Sequence, residues 1–288
     1  MCRFRLKNLY YIFYTTIYLP VCKQNVQVRE MNMAEYSALQ KHLLEGNDSN
    51  IAQCMMHIAQ QCCMQNINCI CNIDLFCILS KIRTLSLGDE LQFVFNDVNI
   101  KCSLEDCIQR MHQLDFNCKK ALNINGINIE LNLPHALCIN DYADVLEDVI
   151  CKVADEQVHA LDDNIKSKVL ASMPAVVVEQ CIDFVKKGIA AMKNHWFIAP
   201  NEAIATPGIE LNAFNNSLLE ILKFIYKDDL MNVYNLKYIL TSKLHITPLQ
   251  ADAMSPAECR IYVSLLNDEI SKQNKQLQDQ NNAAKYNL

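Results

Sequence analysis

Apolar residues recur at helical spacing over much of the first third of the chain. This pattern predicts helices over residues 34–45, 50–64 and 74–87. The polar segment 46–49 separates the first two helices, and Gly88 follows the third, as glycine commonly does at a helix end. We therefore expect three consecutive helices before the first clear strand signal.

The hydrophobic period changes to two after these helices. Residues 91–95 and 98–102 alternate between apolar and polar side chains, as the strands of a hairpin do. A second pair of short alternating runs flanks Asn125-Gly126, which supplies the positive φ angles of a tight hairpin turn. We expect the four strands to form one small antiparallel sheet, at about residues 90–133.

Helical spacing returns after Asp141. It predicts one amphipathic helix through residues 142–153 and another through 178–189, with Pro174 suited to the first turn of the latter. The break at 195–212 contains two short apolar runs that we expect to pair as a further hairpin.

Four more helices are predicted in the last part of the chain. Two of them cover residues 214–226 and 230–244. The other two begin at Thr247-Pro248 and Ser255-Pro256, where a capping hydroxyl precedes a proline. After Ile270 the apolar face is lost, so we expect the tail to fray or stay solvated.

These elements predict an α+β fold that is mainly α, with the small sheet inserted between N-terminal helices and a C-terminal helical part. The element pattern divides the chain into four expected parts. They are a poorly ordered extension at 1–30, helices plus sheet at 31–139, a helical domain at 140–272 and a polar tail at 273–288.

The first 30 residues are the least typical segment. A basic start precedes the apolar stretch Leu9–Cys22, as in a signal peptide, but no small-residue cleavage site follows it. Met31 and Met33 both precede a well-patterned helix. Residues 1–30 are therefore interpreted as an upstream extension poorly integrated with the fold, with secretion as the alternative.

Composition restricts the function classes. A net charge of −6 argues against general nucleic-acid binding, which needs a basic surface. Only 5 glycines are present, and no phosphate-binding loop, nucleophile elbow or HExxH motif occurs. We expect no catalytic residues, no cofactor, no nucleic acid and no membrane partner.

Acidic residues are concentrated between positions 141 and 163, where Lys152 is the only lysine or arginine. Such a run is typical of a solvated helix face, with a docking face for a basic partner as the alternative. The acidic residues are Asp141, Asp144, Glu147, Asp148, Asp155, Glu156, Asp162 and Asp163.

Fifteen cysteines stand mostly at apolar positions of helical patterns, which favours reduced, buried thiols in a reducing compartment. Structural zinc is the alternative, because Cys69-x-Cys71 and Cys54-x2-His57 are short-spaced pairs of thiolate and imidazole ligands. Zinc-binding knuckles of the CxxC type are missing, so Cys54, His57, Cys69 and Cys71 remain secondary candidates.

A stripe of aromatic and other large apolar residues lies on the predicted helices at 214–226 and 230–244. Such stripes usually form core, but tyrosine and methionine also favour partner grooves, and these helices carry apolar residues on more than one face. The candidate partner-binding residues are Phe224, Tyr226, Met231, Tyr234 and Tyr238.

Landmarks at residues 209–275 resemble the baseplate hub assembly proteins of T-even-type, contractile-tailed bacteriophages. The landmarks there are Ile209–Leu211, Phe214, Leu218–Leu230, Tyr234–Tyr238, Met254–Glu258 and Ile261-Tyr262. Upstream pieces at 73–83, 86–90 and 172–174 fit the same family, so the resemblance covers about residues 50–275. The cysteine content and the first 30 residues depart from it.

The resemblance implies a non-enzymatic role in tail and baseplate hub assembly. The expected partners are hub proteins, tape-measure protein or both, bound through helical surfaces in the reducing host cytoplasm. A chaperone-like assembly factor is one hypothesis and a permanent, virion-associated subunit of the hub is the other, with a zinc-stabilised adaptor as a weaker third. The resemblance leaves the oligomeric state open.

Overall fold

The computed structural model describes residues 13–67, 70–95, 98–114, 116, 119–138, 142–154, 156–196 and 217–286. Helices predominate and the strands are confined to small antiparallel sheets, so the predicted mainly α, α+β fold class is confirmed. The predicted hairpin of residues 196–198 and 209–211 lies outside the described residues except for Trp196, which is helical.

The chain begins, within the described part, with a β-hairpin followed by three helices. These elements are β1 (Thr15–Leu19), β2 (Gln24–Val28), α1 (Met33–Glu45), α2 (Asp48–Cys62) and α3 (Asn72–Leu87). The helix α3 lies at the centre of the fold and is buried almost all round its circumference, as its nearly continuous apolar sequence requires.

The expectation of a poorly ordered extension is wrong for residues 13–30. Ile17, Leu19 and Val28 of the hairpin are buried in the main core. The carboxylate of Asp74, at the start of α3, accepts hydrogen bonds from the backbone N–H groups of Val21 and Cys22, each at 2.9 Å. Apolar burial and this long-range cap together fix the hairpin turn to the fold.

The strands after α3 form two sheets instead of one. Their elements are β3 (Glu90–Phe95), β4 (Val98–Ser103), α4 (Leu104–His112), β5 (Lys119–Ile124) and β6 (Ile127–Asn132). The β3–β4 hairpin pairs only with itself among the described residues, whereas β5 and β6 belong to a separate four-stranded sheet. Asn125 and Gly126 have φ angles of 53° and 83°, which confirms the predicted tight turn.

The second sheet is completed by residues that the sequence pattern assigns to a helix. These elements are α5 (Tyr142–Val149), β7 (Ile150–Val153) and β8 (Glu156–Gln157), followed by a 3-10 turn at Val158–Ala160. The predicted helix through 142–153 is therefore too long. Its last four residues form β7 beside β6, because two of them are β-branched and the edge of β6 needs a partner.

Helices form the rest of the described chain. They are α6 (Asp163–Ala171), α7 (Ala175–Trp196), α8 (Ser217–Tyr226), α9 (Leu230–Ser242), α10 (Pro248–Ala253) and α11 (Pro256–Tyr286). Thr247 and Ser255 cap α10 and α11 as predicted, and each exchanges two hydrogen bonds with the residue three positions later. Residues 273–280 of the predicted polar tail are solvent-exposed, but the backbone stays helical through Tyr286.

One hydrophobic core joins the two parts that the sequence divides near residue 139. Its buried members extend from Ile17 in the N-terminal hairpin to Cys259 in α11. The helix α8 packs on α3, which lies about 140 positions earlier in the chain. The C-terminal helices are therefore built onto the N-terminal part.

Candidate partner-binding surface

The predicted aromatic stripe divides between the core and the surface. Tyr226 is 1% exposed, and its hydroxyl donates a 2.6 Å hydrogen bond to the carbonyl of Leu79 in α3. Its own carbonyl accepts a 2.7 Å hydrogen bond from the side-chain amide of Gln40. Tyr226 is therefore a core residue, and its predicted role in partner binding is wrong.

The helix α8 that carries Tyr226 is held by apolar and polar contacts together. Its buried apolar residues are Leu218, Leu219, Ile221, Leu222, Ile225 and Tyr226. Buried Arg83 donates from Nε to the carbonyl of Ile225 at 3.1 Å, which satisfies an end carbonyl of α8. Lys223 forms an ion pair with Asp48 of α2 at 2.8 Å. Phe224, on the same helix, is 40% exposed and does not line the groove described next.

The next helix, α9, has one buried face and one exposed face. Val233 and Leu240 are fully buried. Met231, Tyr234 and Tyr238 are spaced by three and four residues, so they share the opposite side of the helix. They are 60%, 45% and 65% exposed. Three of the five predicted partner-binding residues thus form one exposed apolar stripe, which we call the α9 face.

A groove runs between the α9 face and the C-terminal end of α1. Its volume is about 390 Å³, and Leu44 of α1, 74% exposed, forms its far side. The groove is lined by Gln40, Leu43, Leu44, Lys227, Asp228, Asp229, Leu230, Met231 and Tyr234. Sequence reasoning missed Leu44, although the Leu43-Leu44 doublet gives α1 one apolar residue more than its buried face needs.

The loop at the end of the groove is fixed by hydrogen bonds. The carboxylate of Asp228 accepts from the Tyr36 hydroxyl at 2.6 Å and from the Asn232 side chain at 3.1 Å. Asp229 caps α9 by accepting from the backbone N–H of Met231 at 2.9 Å. Partial burial opposes ionisation of Asp228, but these hydrogen bonds prevail and lower its pKa. The groove is therefore preformed around an ionised carboxylate.

Further apolar side chains are exposed on the helices that follow α9. Leu249 of α10 is 81% exposed, and Ile261 and Leu265 of α11 are 58% and 60% exposed. Lys237 of α9 forms an ion pair with Asp252 at 2.5 Å, so α9 and α10 are held together. More than half of the large exposed apolar side chains in the described chain lie between Phe224 and Leu277. This concentration identifies α9–α11 as the region with the most uncovered apolar surface.

Among the described residues, the candidate zinc ligands Cys54, His57 and Cys71 do not form a cluster. Cys54 and His57 lie on α2, Cys71 is the residue before α3, and Cys69 lies outside the described residues. Within the part of the chain that is described, no three His, Cys, Asp or Glu side chains cluster as metal ligands. Burial raises the pKa of Cys54 to about 11 and that of Cys63 to about 12, so both stay protonated at neutral pH.

The acidic segment makes local structural contacts. Asp148 accepts hydrogen bonds from the backbone N–H groups of His135 and Ala136, both at 2.7 Å. Asp162 caps α6 by accepting from Asn164, and Glu147 forms an ion pair with Lys166. These three acids support turns and helix ends, so the α9 face is the better candidate for partner contact.

The lengths and hydropathies of the described helices also bear on the site. None of them is at once long enough and apolar enough to cross a membrane.

Comparison with known proteins gives one family. The family model described as T4 bacteriophage base plate protein matches residues 12–191, which include the upstream landmarks of the sequence resemblance. The match ends before α8, so the α9 face lies beyond it. No curated protein and no solved structure matches the chain significantly. Because the family model covers more than half of the chain, this protein belongs to the T4 bacteriophage base plate protein family.

Proposed function

We propose that this baseplate protein acts in assembly of the baseplate hub, without enzymatic activity. In this proposal it holds segments of hub or tape-measure proteins against the α9 face and the adjoining groove. The observation that carries the proposal is the exposed set of Leu44, Met231, Tyr234 and Tyr238 around a preformed groove. Exposed apolar patches rimmed by polar groups are typical of protein-binding sites.

The chemistry of the groove favours a helical client with mixed character. Methionine and leucine side chains adapt to different apolar partners, and tyrosine buries a large ring while its hydroxyl stays available for a hydrogen bond. The carboxylates of Asp228 and Asp229 lie at one end of the groove. A client helix with an apolar stripe and a basic residue near one end complements this arrangement.

Co-expression with the phage's hub and tape-measure proteins, followed by affinity purification, tests the proposal. We expect Tyr238→Asp to reduce client recovery by tenfold or more, on the order of a hot-spot loss. Ile165→Asp is the matched control, because Ile165 is 53% exposed on α6. Equal recovery with both variants would contradict the proposal, provided that circular dichroism shows both to be folded.

Composition of purified virions distinguishes an assembly factor from a permanent subunit. An assembly factor that leaves before maturation is expected in assembly intermediates. Mature particles should then contain less than one copy of it per hub subunit. Stoichiometric presence in mature particles would instead make the chain a structural subunit whose α9 face is permanently covered.

A further inference from the structure

Two cysteines approach each other where the β3–β4 hairpin meets α4. Cys102 lies near the end of β4 and is partly buried, whereas Cys107 lies one turn into α4 and is buried. The Cys107 thiol donates a hydrogen bond to the Cys102 sulfur, which places the two side chains within hydrogen-bonding distance. The N-cap of α4, Ser103, accepts from the Asp106 N–H at 3.1 Å and fixes the short connection between them.

An arginine lies beside this pair. The guanidinium of Arg110 donates from Nη2 to the Cys107 sulfur at 3.1 Å. Arg83 and Asp89 are the other charged groups that act on Cys102, and they oppose each other in sign. Glu105 lies on the same helix, but its carboxylate is paired with Lys81. The local charge around the two sulfur atoms is therefore set mainly by Arg110, which favours a thiolate.

The two thiols differ in a way that assigns each a role. The hydrogen bond from Cys107 lowers the pKa of Cys102, while the same hydrogen bond and burial raise the pKa of Cys107. Cys102 is also the more accessible of the two. Other described cysteines, such as Cys54 and Cys181, have pKa values raised by burial to about 11. Cys102 thus combines partial exposure with an acidified thiol.

We propose that Cys102 and Cys107 form a dithiol site that reacts with low-molecular-weight disulfides and closes into an intramolecular disulfide. The Cys102 thiolate attacks one sulfur of the small disulfide, forms a mixed disulfide and releases the first small thiolate. Cys107 then attacks the Cys102 sulfur, and the Cys107 proton leaves with the second small thiol. Two protein thiols are oxidised, and one small disulfide is reduced to two thiols.

This site is independent of the proposed assembly function. Closure would join the end of β4 covalently to the first turns of α4, beside the junction of α3 with the β3–β4 hairpin. The bond spans only five residues, so its main expected effect is local rigidity of this junction.

Titration of the native full chain with glutathione redox buffers tests the proposal. Samples are quenched with an alkylating agent, and the modified cysteines are identified by peptide mass spectrometry. We expect the Cys102–Cys107 disulfide to form first, and Cys107→Ser to trap glutathione on Cys102. Arg110→Gln should slow the first step by roughly threefold to tenfold, whereas Cys181→Ser should leave formation unchanged.

Two results would overturn the assignment. One is glutathione distributed over other cysteines without a bond between Cys102 and Cys107. The other is a Cys107→Ser variant, shown by circular dichroism to be folded, that traps no glutathione on Cys102.

Discussion

The helices α8 and α9 are neighbours in the chain and are both rich in leucine, isoleucine and tyrosine, yet they have opposite environments. Six apolar residues of α8 are buried against α3 and its surroundings. In α9, Val233 and Leu240 are buried, while Met231, Tyr234 and Tyr238 remain exposed. An apolar helix of this protein is thus buried or partly exposed according to what the rest of the fold places beside it.

The difference between the two helices has a specific physical cause. Polar groups of the N-terminal part, Arg83 and Gln40, reach the last carbonyls of α8, and Tyr226 returns a hydrogen bond to α3. Such contacts satisfy the buried end of α8. The outer side of α9 has only the groove beside it, so its apolar residues stay exposed.

The largest effect is expected from shortening a buried side chain of α8. Leu222→Ala should lower the free energy of unfolding by about 2–5 kcal/mol, because it leaves a cavity in the core. Met231→Ala, the matched change on the α9 face, should stay within about 0.5 kcal/mol of the parent. Urea unfolding followed by circular dichroism measures both. Equal losses would mean that the two helices are buried alike.

A smaller loss is expected at the polar cap of α8. Arg83→Met keeps much of the side-chain volume but leaves the buried carbonyl of Ile225 and the carbonyl of Gly88 without their donor. It should cost about 1–3 kcal/mol of unfolding free energy. Arg260→Met, at a more exposed arginine, should cost less than about 1 kcal/mol in the same urea experiment. The reverse order would contradict the capping role of Arg83.

Asp228 lies at the junction between α8 and α9. Its carboxylate should contribute about 1 kcal/mol to the free energy of unfolding, and this contribution should depend on pH. The folded pKa of Asp228 is lowered, so its carboxylate contributes stability above the unfolded pKa of about 3.9. That contribution is lost as pH falls through the lower folded pKa. The stability gap between the parent and Asp228→Asn should therefore be constant above about pH 5 and shrink below about pH 4. If the stability difference between the parent and Asp228→Asn stays unchanged in strong acid, the ionised carboxylate does not cause it.

The smallest stability change is expected on the α9 face itself. Tyr238→Ala should alter the free energy of unfolding by less than about 0.5 kcal/mol, because its side chain is already 65% exposed. Thermal unfolding in the absence of partners measures this effect. A loss above about 2 kcal/mol would show that Tyr238 is packed in solution and that its side of α9 belongs to the core.

Local patterns in the sequence predicted much of the fold. Capping residues located the starts of α10 and α11, and Asn125-Gly126 located the β5–β6 turn. Long-range contacts explain the failures. The N-terminal hairpin depends on Asp74, more than 50 residues away, and Ile150–Val153 forms a strand because β6 lies beside it. Neither contact leaves a local signal in the sequence.

The sequence pattern identified a group of candidate residues, but it did not show which of them are buried and which are exposed. Helical spacing grouped Met231, Tyr234 and Tyr238, whereas the burial of Tyr226 depends on Leu79 and Gln40 from the distant α3 and α1. Leu44 joins the site only because α1 ends beside α9. One-dimensional patterns cannot distinguish the two sides of an apolar helix when both carry large side chains.

Photo-crosslinking from position 238 tests the central claim most directly. A photoreactive phenylalanine replaces Tyr238 in one variant and Ile165 in a control, each produced together with the phage's other baseplate proteins. We expect adducts with a baseplate protein from position 238 and none from position 165. A complex that forms normally but gives no adduct from position 238 would show that the α9 face is not where the partner binds.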